Sequence, residues 1–422
     1  MGKNDEAWEG LFQKYGITEK VHENGQFFIS ANQIKQFREP RLMTKFDHSI
    51  NLPSVFSDND LAILPISRGE YVISSFSAYK TMDEADEACE RVSVPSYIQS
   101  ISPKFIVSEA IALNCAYSCG ILSDFLDDEE LIPTVNGRMG SGRFDFNITT
   151  KAGKRTVSVN NAQIEIDAAF EGVNYLSLFE AKHDFADDFI VRQLYYPYRT
   201  WKERVTKKVK SVFLTFSNGV FDLFEYNFDN PYDYNSLILV KKKKYALSTD
   251  IKLCDIQKTL NSVEVISEPE IPFPQADKMS RIINLIESLD KKPMSLQQIT
   301  QKYGFDARQA SYYAEAGRYL GLIERFRKDA NVMYGLSPAG CHAMSLDYRE
   351  RQLFFAGKIL EHKVFNDVLR LCLNVGEMPN KNTIVIIMKN AFLYNVGADS
   401  TFERRSSTVS GWINWILSLI DE

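Results

Sequence analysis

At 422 residues the chain exceeds what one ordinary hydrophobic core supports, and a prior of roughly 150 residues per domain predicts about two to four units. Its 45% hydrophobic and 25% charged content is that of an average globular protein, which excludes a fibrous or disordered chain, and no apolar run approaches the ~20 residues of a bilayer span. The amino terminus MGKNDEAWEG lacks a signal-peptide pattern, the six cysteines show no zinc spacing, and a formal net charge of −6 excludes a uniformly basic surface, so a reduced, cytoplasmic protein without membrane contact is expected.

In the first hundred residues QFFISANQI and LAILPISRGEYVISSF alternate short apolar runs with turn signals, and TMDEADEACERV reads as a helix. These predict an N-terminal α+β domain over 1–103. ISPKF then breaks the pattern, and VSEAIALNCAYSCGILSDFLDD has helical spacing with Ser108 as N-cap, so a second domain should begin near residue 104. Cys115 and Cys119, four apart on that helix, should share a buried face.

RFDFNITT, NAQIEIDAAFEG and YLSLFEAKHD follow as three strands, and DDFIVRQLYYPYRTWKERVT as a helix that Pro197 should kink or divide. KSVFLTFSNG, FDLFEYNF and NSLILVKKKKYAL read as further strands. The order α-β-β-β-α-β is that of a mixed α/β core, over 104–266. GRMGSG (137–142) fits neither a P-loop nor a dinucleotide fingerprint, and reads as a hairpin turn or a DNA-facing loop that presents Arg138 and Arg143. RTWKERVTKKVK (199–210), which includes Arg199 and Lys202, carries six basic residues and one acid, and KKKK fills 241–244. Such runs are either solvated faces and a lysine-protected strand edge or phosphate contacts.

SEPEIPFPQAD (267–277) has three prolines and no periodicity, which marks a linker. DKMSRIINLIESLDKK, SLQQITQKYG and DARQASYYAEAGRYLGLI are successive helical patterns, and ERFRKDANVMYGLSPAG reads as a hairpin. Three helices and a hairpin predict a winged helix-turn-helix over 278–345, with Gly304 in the turn and 306–320 as recognition helix. In 346–422, KNTIVIIMKNAF and DSTFERRSSTVSGWINWILSLI predict two helices around a turn. The last should open on a capping Ser or Thr, present Arg404 and Arg405 early, and bury Trp412, Trp415 and Leu417, which suggests a second helix-turn-helix.

The chemistry concentrates in 161–199. Alternation puts Glu165 and Asp167 on one face of a strand, and Glu180 and Lys182 on one face of the next, with Ala181 opposite. If the two strands pair as a hairpin, Asp167 comes beside Glu180, and two such carboxylates resist ionisation unless a cation sits between them. Mg²⁺ meets that need, being held typically by one or two carboxylates plus waters and substrate phosphate, and Lys182 would stand beside the activated water. The plain alternative is an ordinary solvated pair on an exposed strand.

This arrangement resembles the PD-(D/E)xK nuclease superfamily, whose signature is an acid on one strand followed by (D/E)-x-K on the next. Asp167 matches the first acid and Glu180, Ala181 and Lys182 the second half, with Ile166 where the motif's proline would stand. The resemblance implies that Asp167, Glu180 and the Ala181 carbonyl bind metal and that Lys182 assists catalysis. It further implies that Glu109 on the preceding helix joins the site, and that Gln193 and Tyr196 on the following helix contact substrate or the site.

A nuclease core joined to DNA-reading modules is the layout of type II restriction endonucleases, which EPRLMTKFDH, LPSVF and LAILPISRGEYVI also resemble. The expectation is thus a mixed-sheet α/β fold with a restriction-endonuclease-like core, an N-terminal α+β domain and C-terminal winged helix-turn-helix domains. Its activity would be Mg²⁺-dependent, site-specific cleavage of double-stranded DNA by a homodimer, paired functionally with a DNA methyltransferase. Arg308, Gln309 and Arg318 are the candidate base contacts. The alternatives are a structure-specific repair or recombination nuclease and a non-catalytic winged-helix DNA-binding regulator. SAYK (77–80) lacks the partner motifs of an acyl-enzyme site, and His183 reads as structural or as a phosphate contact.

Overall fold

The computed structural model describes residues 2–83, 89–101, 106, 108–183, 187–247, 251–303, 307–329 and 331–420. The chain forms two compact units, the first of Met1–Glu90, Val107–Phe216 and Phe221–Tyr245, the second of Arg91–Ile106, Ser217–Val220 and Ala246–Glu422. Residues 1–90 therefore share a unit with the segment that carries the acidic strands. The boundary expected near residue 104, and Gly304, lie outside the described residues.

The first unit opens with helices α1 (Lys3–Tyr15) and α2 (Ile17–Asn24), strand β1 (Phe27–Ser30), and short helices α3 (Ala31–Lys35), α4 (Pro40–Met43) and α5 (Ser54–Ser57). Strands β2 (Ala62–Pro65) and β3 (Glu70–Ser74) complete a three-stranded antiparallel sheet in the order β1-β3-β2. Trp8, Phe12 and Phe56 pack edge to face over Ile29, Ile63 and Ile73. Next come β4 (Tyr79–Thr81) and β5 (Cys89–Val92). The helix expected over TMDEADEACERV is thus replaced by strands at both of its described ends. Tyr79, Thr81, Cys89 and Val92 are β-branched, aromatic or thiol residues that favour pleated backbone over helix.

Helix α6 (Glu109–Ser118) starts as the sequence indicates, with the Ser108 hydroxyl accepting the Ile111 N–H at 3.3 Å. Gly120, at φ 77°, turns the chain into α7 (Ile121–Leu126). Five strands follow where three were expected: β6 (Ile132–Gly140), β7 (Arg143–Thr150), β8 (Gly153–Asn160), β9 (Gln163–Glu171) and β10 (Tyr175–Lys182). β7 and β8 form their own two-stranded hairpin, while β6 pairs with β9. GRMGSG is therefore the end of a strand plus a crossing between sheets, not a hairpin turn.

A short β11 (Asp188–Ile190) leads into α8 (Arg192–Lys202), which runs through Pro197 undivided. Strands β12 (Lys208–Ser217), β13 (Val220–Phe228) and β14 (Leu237–Leu247) complete a seven-stranded mixed sheet in the order β5-β14-β13-β12-β10-β9-β6. The strand RFDFNITT, expected first in the order α-β-β-β-α-β, is β7 and lies in the separate hairpin; the unforeseen β6 takes its place in the large sheet, and α8 is the crossover that lets β10 and β12 pair in parallel. Tyr195, Tyr196 and Tyr198 of α8 are buried against Phe144, Phe146, Phe228 and Tyr234.

The second unit adds α9 (Leu253–Ser262), α10 (Met279–Lys291), β15 (Met294–Ser295), α11 (Leu296–Tyr303), α12 (Ala307–Tyr319), β16 (Ile323–Lys328), β17 (Asn331–Leu336) and α13 (Pro338–Ser345). It ends with α14 (Tyr348–Leu360), α15 (Lys363–Val375), α16 (Lys381–Lys389) and α17 (Asp399–Leu417). The expected three helices and hairpin are present, and β15 adds a third strand in the order β15-β17-β16. α17 starts after Ala398 without a side-chain cap, so the expected Ser or Thr cap is absent. It buries Trp412 fully but Trp415 and Leu417 only in part.

Residues 267–277 form no helix or strand, yet they are not a loose tether. Phe273 stacks on Phe365 at 5.6 Å, and the Ala276 carbonyl accepts the Trp412 indole N–H at 2.7 Å. The prolines prevent regular structure without preventing packing. No helix among the described residues is long and apolar enough to cross a membrane.

The turn between β9 and β10 depends on one acid. Asp128, 3% exposed, accepts the backbone N–H groups of Asn174 at 3.1 Å and Tyr175 at 3.0 Å, and Gly172 leaves it room where a Cβ would stand 2.3 Å from its carboxylate. Asp128→Ala should lower unfolding stability in urea by about 2 kcal/mol, because a charge-assisted bond contributes about 1.5–3 kcal/mol and the partly exposed N–H groups can turn to water instead.

Candidate functional site

The acidic strands are paired unequally. β10 pairs with β12 through to Lys182↔Thr215, but its pairing with β9 ends at Phe179↔Ala168. On β9's other side, the register passes from Val135↔Ala169 to Gly137↔Ile166, two residues of β6 against three of β9. That is a bulge at Asp167–Ala168, which turns Asp167 out of strict alternation. The Asp167 carboxylate enters the gap where β9 and β10 part, and its Oδ2 accepts the Ala181 N–H at 2.8 Å.

On β10, alternation sets Leu176, Leu178, Glu180 and Lys182 on one face, with Leu176 and Leu178 packed in the same cluster as the α8 tyrosines. Glu180 is 8% exposed. Its Oε1 accepts Lys182 Nζ at 2.5 Å and Gln193 Nε2, from the first turn of α8, at 2.7 Å. A pocket beside it is lined by residues that include Glu165, Ile166, Leu178, Glu180, Gln193 and Pro197, though the Glu165 carboxylate itself pairs with Arg138. Among the described residues, Oε2 of Glu180 and Oδ1 of Asp167 accept no hydrogen bond.

Burial drives Glu180 up to about 7, with the negative charges of Asp167 and Asp47 adding to the rise and Lys182 opposing it. For Lys182 burial pulls downward, yet Glu180, Asp47 and Glu109 together outweigh it and hold the ammonium well above its usual range. Lys182 therefore stays protonated, which suits a donor and not a base. Three carboxylates, Glu180, Asp47 and Glu109, thus act on one lysine, and Asp167 adds its charge beside Glu180.

Asp47 was not foreseen from the sequence. It lies between Phe46 and His48 in EPRLMTKFDH, a stretch whose resemblance assigns it no role; Lys45 stands 3.6 Å from its Oδ2, and only tertiary pairing brings it to the site. The Ile190 N–H bonds the Asp47 carbonyl at 2.9 Å, His48 Nδ1 meets the Asp188 carbonyl at 2.5 Å, and the Ser49 N–H bonds the Asp188 carboxylate at 3.1 Å. These bonds pin residues 47–49 to β11. Oδ1 of Asp47 is buried with no hydrogen-bond partner.

The site thus brings together Asp167, Glu180, Lys182 and Gln193, with Glu109 within electrostatic reach. Among the described residues no three of His, Cys, Asp and Glu converge as a metal cage. Two carboxylates and one carbonyl are a donor set that only an ion keeping most of its waters would accept. Glu165 is directed elsewhere, to an exposed pair with Arg138 at 3.1 Å. Tyr196 is core, its hydroxyl donating to the Pro65 carbonyl at 3.0 Å, and His183 packs edge to face on Phe216.

Several expected DNA contacts need correction. Arg199 is 3% exposed, and its guanidinium donates to the carbonyls of Asp145 and Pro231 and to the Tyr195 hydroxyl, because the amphipathic pattern of α8 turns this position inward. The basic run 199–210 is not one helix: α8 ends at Lys202, β12 starts at Lys208, and Lys210 is buried on Glu225 at 3.1 Å. In the 241–244 run, Lys241 pairs with Asp127, Lys243 with Asp124 and Glu90, and Lys244 with Asp222. Arg138, Arg143 and Lys202 remain exposed.

In the second unit Arg308 and Gln309 are exposed on α12, and Arg318 pairs with Glu315 at 2.5 Å. On α17 Arg404 is exposed, whereas Arg405 is half-buried with Nε and Nη1 shielded and without a hydrogen-bond partner.

Three family models match successive parts of the chain: the domain of unknown function DUF6996 at residues 5–73, DUF6997 at 74–246, and DUF7226 at 281–421. No curated protein and no solved structure matches the chain. Glu109, Asp167, Glu180, Lys182 and Gln193 all fall within the second match, Asp47 within the first.

The raised Glu180 value has a sign that can be measured. An acid shifted upward on folding binds more protons in the native state between its unfolded and folded values, so its stabilising contribution is full below the unfolded value and is lost as pH rises through about 7. In metal-free buffer, the stability of the wild type relative to Glu180→Gln should fall by about 2 kcal/mol from about pH 5.5 to about pH 8.5, measured by denaturant unfolding at each pH.

Proposed function

We propose that the protein is a Mg²⁺-dependent, site-specific endonuclease of double-stranded DNA, with a restriction-endonuclease-like PD-(D/E)xK core and a winged helix-turn-helix over 278–345. The observation that carries the reading is the pairing of Glu180 with Lys182 and Gln193, beside the parted strands that hold Asp167. A bare E-x-K tripeptide has no such surroundings on an exposed strand. In support stand the strand and helix order of the first unit and, in the second, α10, α11 and α12 followed by a three-stranded sheet.

Bound at Asp167 and Glu180, with the Ala181 carbonyl, Mg²⁺ would polarise a phosphoryl oxygen and acidify a coordinated water. Glu180 must be ionised for this, and Lys182 and Gln193 already donate to the carboxylate and favour its charged form. Lys182, kept protonated, orients the attacking water and offsets the negative charge that grows on the phosphorus centre. Glu109 and Asp47 hold the lysine's charge from its other sides.

Cleaving both strands of a symmetric site calls for two such centres, hence a homodimer, and a chain with this activity needs its host's own sites protected by a DNA methyltransferase. Incubation with mixed plasmid and phage DNA should give discrete fragments that require Mg²⁺. Glu180→Ala or Lys182→Ala should reduce cutting by at least about 100-fold while leaving duplex binding near wild type. Cutting that survives in both variants refutes the assignment, and binding without cutting in any metal favours a non-catalytic regulator.

A further inference from the structure

Helix α17 buries Val409, Trp412, Ile413 and Ile416 in the core of the second unit, and presents two consecutive arginines from its second turn. Arg404 is open to solvent. Arg405 lies against the protein with Nε and Nη1 shielded from water, and neither atom finds an acceptor among the described residues. A guanidinium has five donors in a fixed fork and no means of neutralising itself, so shielding it without a partner is unfavourable unless something else supplies the anion. Burial, and then the like charge of Arg404, both bear against Arg405.

Tyr312 of α12 is close enough to Arg405 to act on it electrostatically. The same tyrosine hydroxyl accepts Arg308 Nε at 2.5 Å, and the Arg308 guanidinium lies 5.5 Å from the centre of its ring. Arg405 of α17 thus lies within electrostatic reach of the Arg308–Tyr312 pair of α12, with Gln309 exposed next to Arg308. Neither Arg404 nor Arg405 has an ion-pair partner among the described residues, unlike Arg318 and Arg325, both directed at Glu315.

We propose that Arg405, with Arg404 and the Arg308–Tyr312 pair, forms one clamp for the phosphate backbone of duplex DNA. α17 is then the second half of the α12 reading face, and not the recognition helix of a separate helix-turn-helix. With Nε and Nη1 shielded, Arg405 offers a phosphate oxygen its remaining nitrogen, Nη2, and its undivided positive charge. Such contacts set register and leave base discrimination to a neighbour such as Gln309. Charge complementarity selects the partner: a chain of net charge −6 gathers three arginines at one place, and a polyanion with regularly spaced phosphates engages them together. The proposal rests on the DNA-binding part of the reading above and is independent of the chemistry at Glu180.

The test measures full-length protein binding to a mixed-sequence duplex of about 30 base pairs by fluorescence anisotropy, in EDTA, over a range of salt. Arg405→Ala should weaken binding about tenfold and reduce the slope of log affinity against log salt by about one, Arg404→Ala should do so less, and Arg405→Lys should recover part of the loss. The melting temperature of Arg405→Ala should equal or exceed that of the wild type, because the substitution removes an unpaired shielded charge. Unchanged affinity and slope in Arg405→Ala overturn the clamp, as does a lowered melting temperature with unchanged binding. Conversion of a dimer to a monomer by Arg405→Ala, seen by light scattering, assigns the arginine to a carboxylate of a second copy instead. If the wild type cuts DNA and Arg405→Ala binds it equally well, the clamp fails and the nuclease reading stands. If the wild type binds no duplex, both fall.

Discussion

The site depends on a main-chain N–H that loses its strand partner. Where β9 and β10 part beyond Phe179↔Ala168, the Ala181 N–H would be left without an acceptor in a buried sheet, and the Asp167 carboxylate takes that place. One bond thus satisfies the backbone and holds an acid beside Glu180. The bulge at Asp167–Ala168 makes it possible, since in strict alternation the Asp167 side chain would stand off the face of the sheet and not in the gap. β12 holds β10 from its other side through Lys182, so the opening is one-sided and the strand that carries Glu180 and Lys182 stays straight.

The electrostatics follow from that opening. Burying two carboxylates at the mouth of a parted strand pair is unfavourable, and the cost is expressed in the raised Glu180 value. Lys182 offsets part of it but cannot offset all, because Asp47 and Glu109 bear on the same lysine. The arrangement is therefore incomplete in charge though complete in hydrogen bonds on the inner oxygens. A purely structural ion pair would have no reason to draw Asp47 in from residues 45–49, and the three bonds that tie that segment to β11 give the approach a definite geometry.

What could be read in the sequence was whatever obeys a short period. Alternation correctly set Glu180 and Lys182 on one face, Ser108 announced the start of α6, and helical spacing located the helices of 278–345. Features that break a period or arise from distant residues were not legible. The bulge inserts one residue and leaves no local mark, β6 is a mostly exposed strand that contains Pro133, Gly137 and Gly140, and nothing in EPRLMTKFDH marks Asp47 as a site residue. Whether the Asp167 and Glu180 side chains meet is a tertiary fact that pattern alone leaves open. The basic run 199–210 misled because composition is blind to the point where a helix ends and a buried strand begins.

Two arginines show why charge counted along a sequence is a poor guide to function. Arg199 and Arg405 both sit in helices, both follow a residue without charge or with like charge, and both are withdrawn from water. Arg199 finds two carbonyls and a hydroxyl as acceptors and lies over the rings of Phe144 and Tyr232, so its charge is fully used in holding α8 to β7 and the 231–232 turn. Arg405 is only half-buried, yet its shielded Nε and Nη1 have no acceptor among the described residues. Folding has no use for the second arrangement, since an apolar residue of similar volume would pack there without the desolvation cost. A shielded cation that the fold does not need is better explained by an anion that arrives from outside it, and that difference in partners, not the difference in exposure, separates a structural arginine from a binding one.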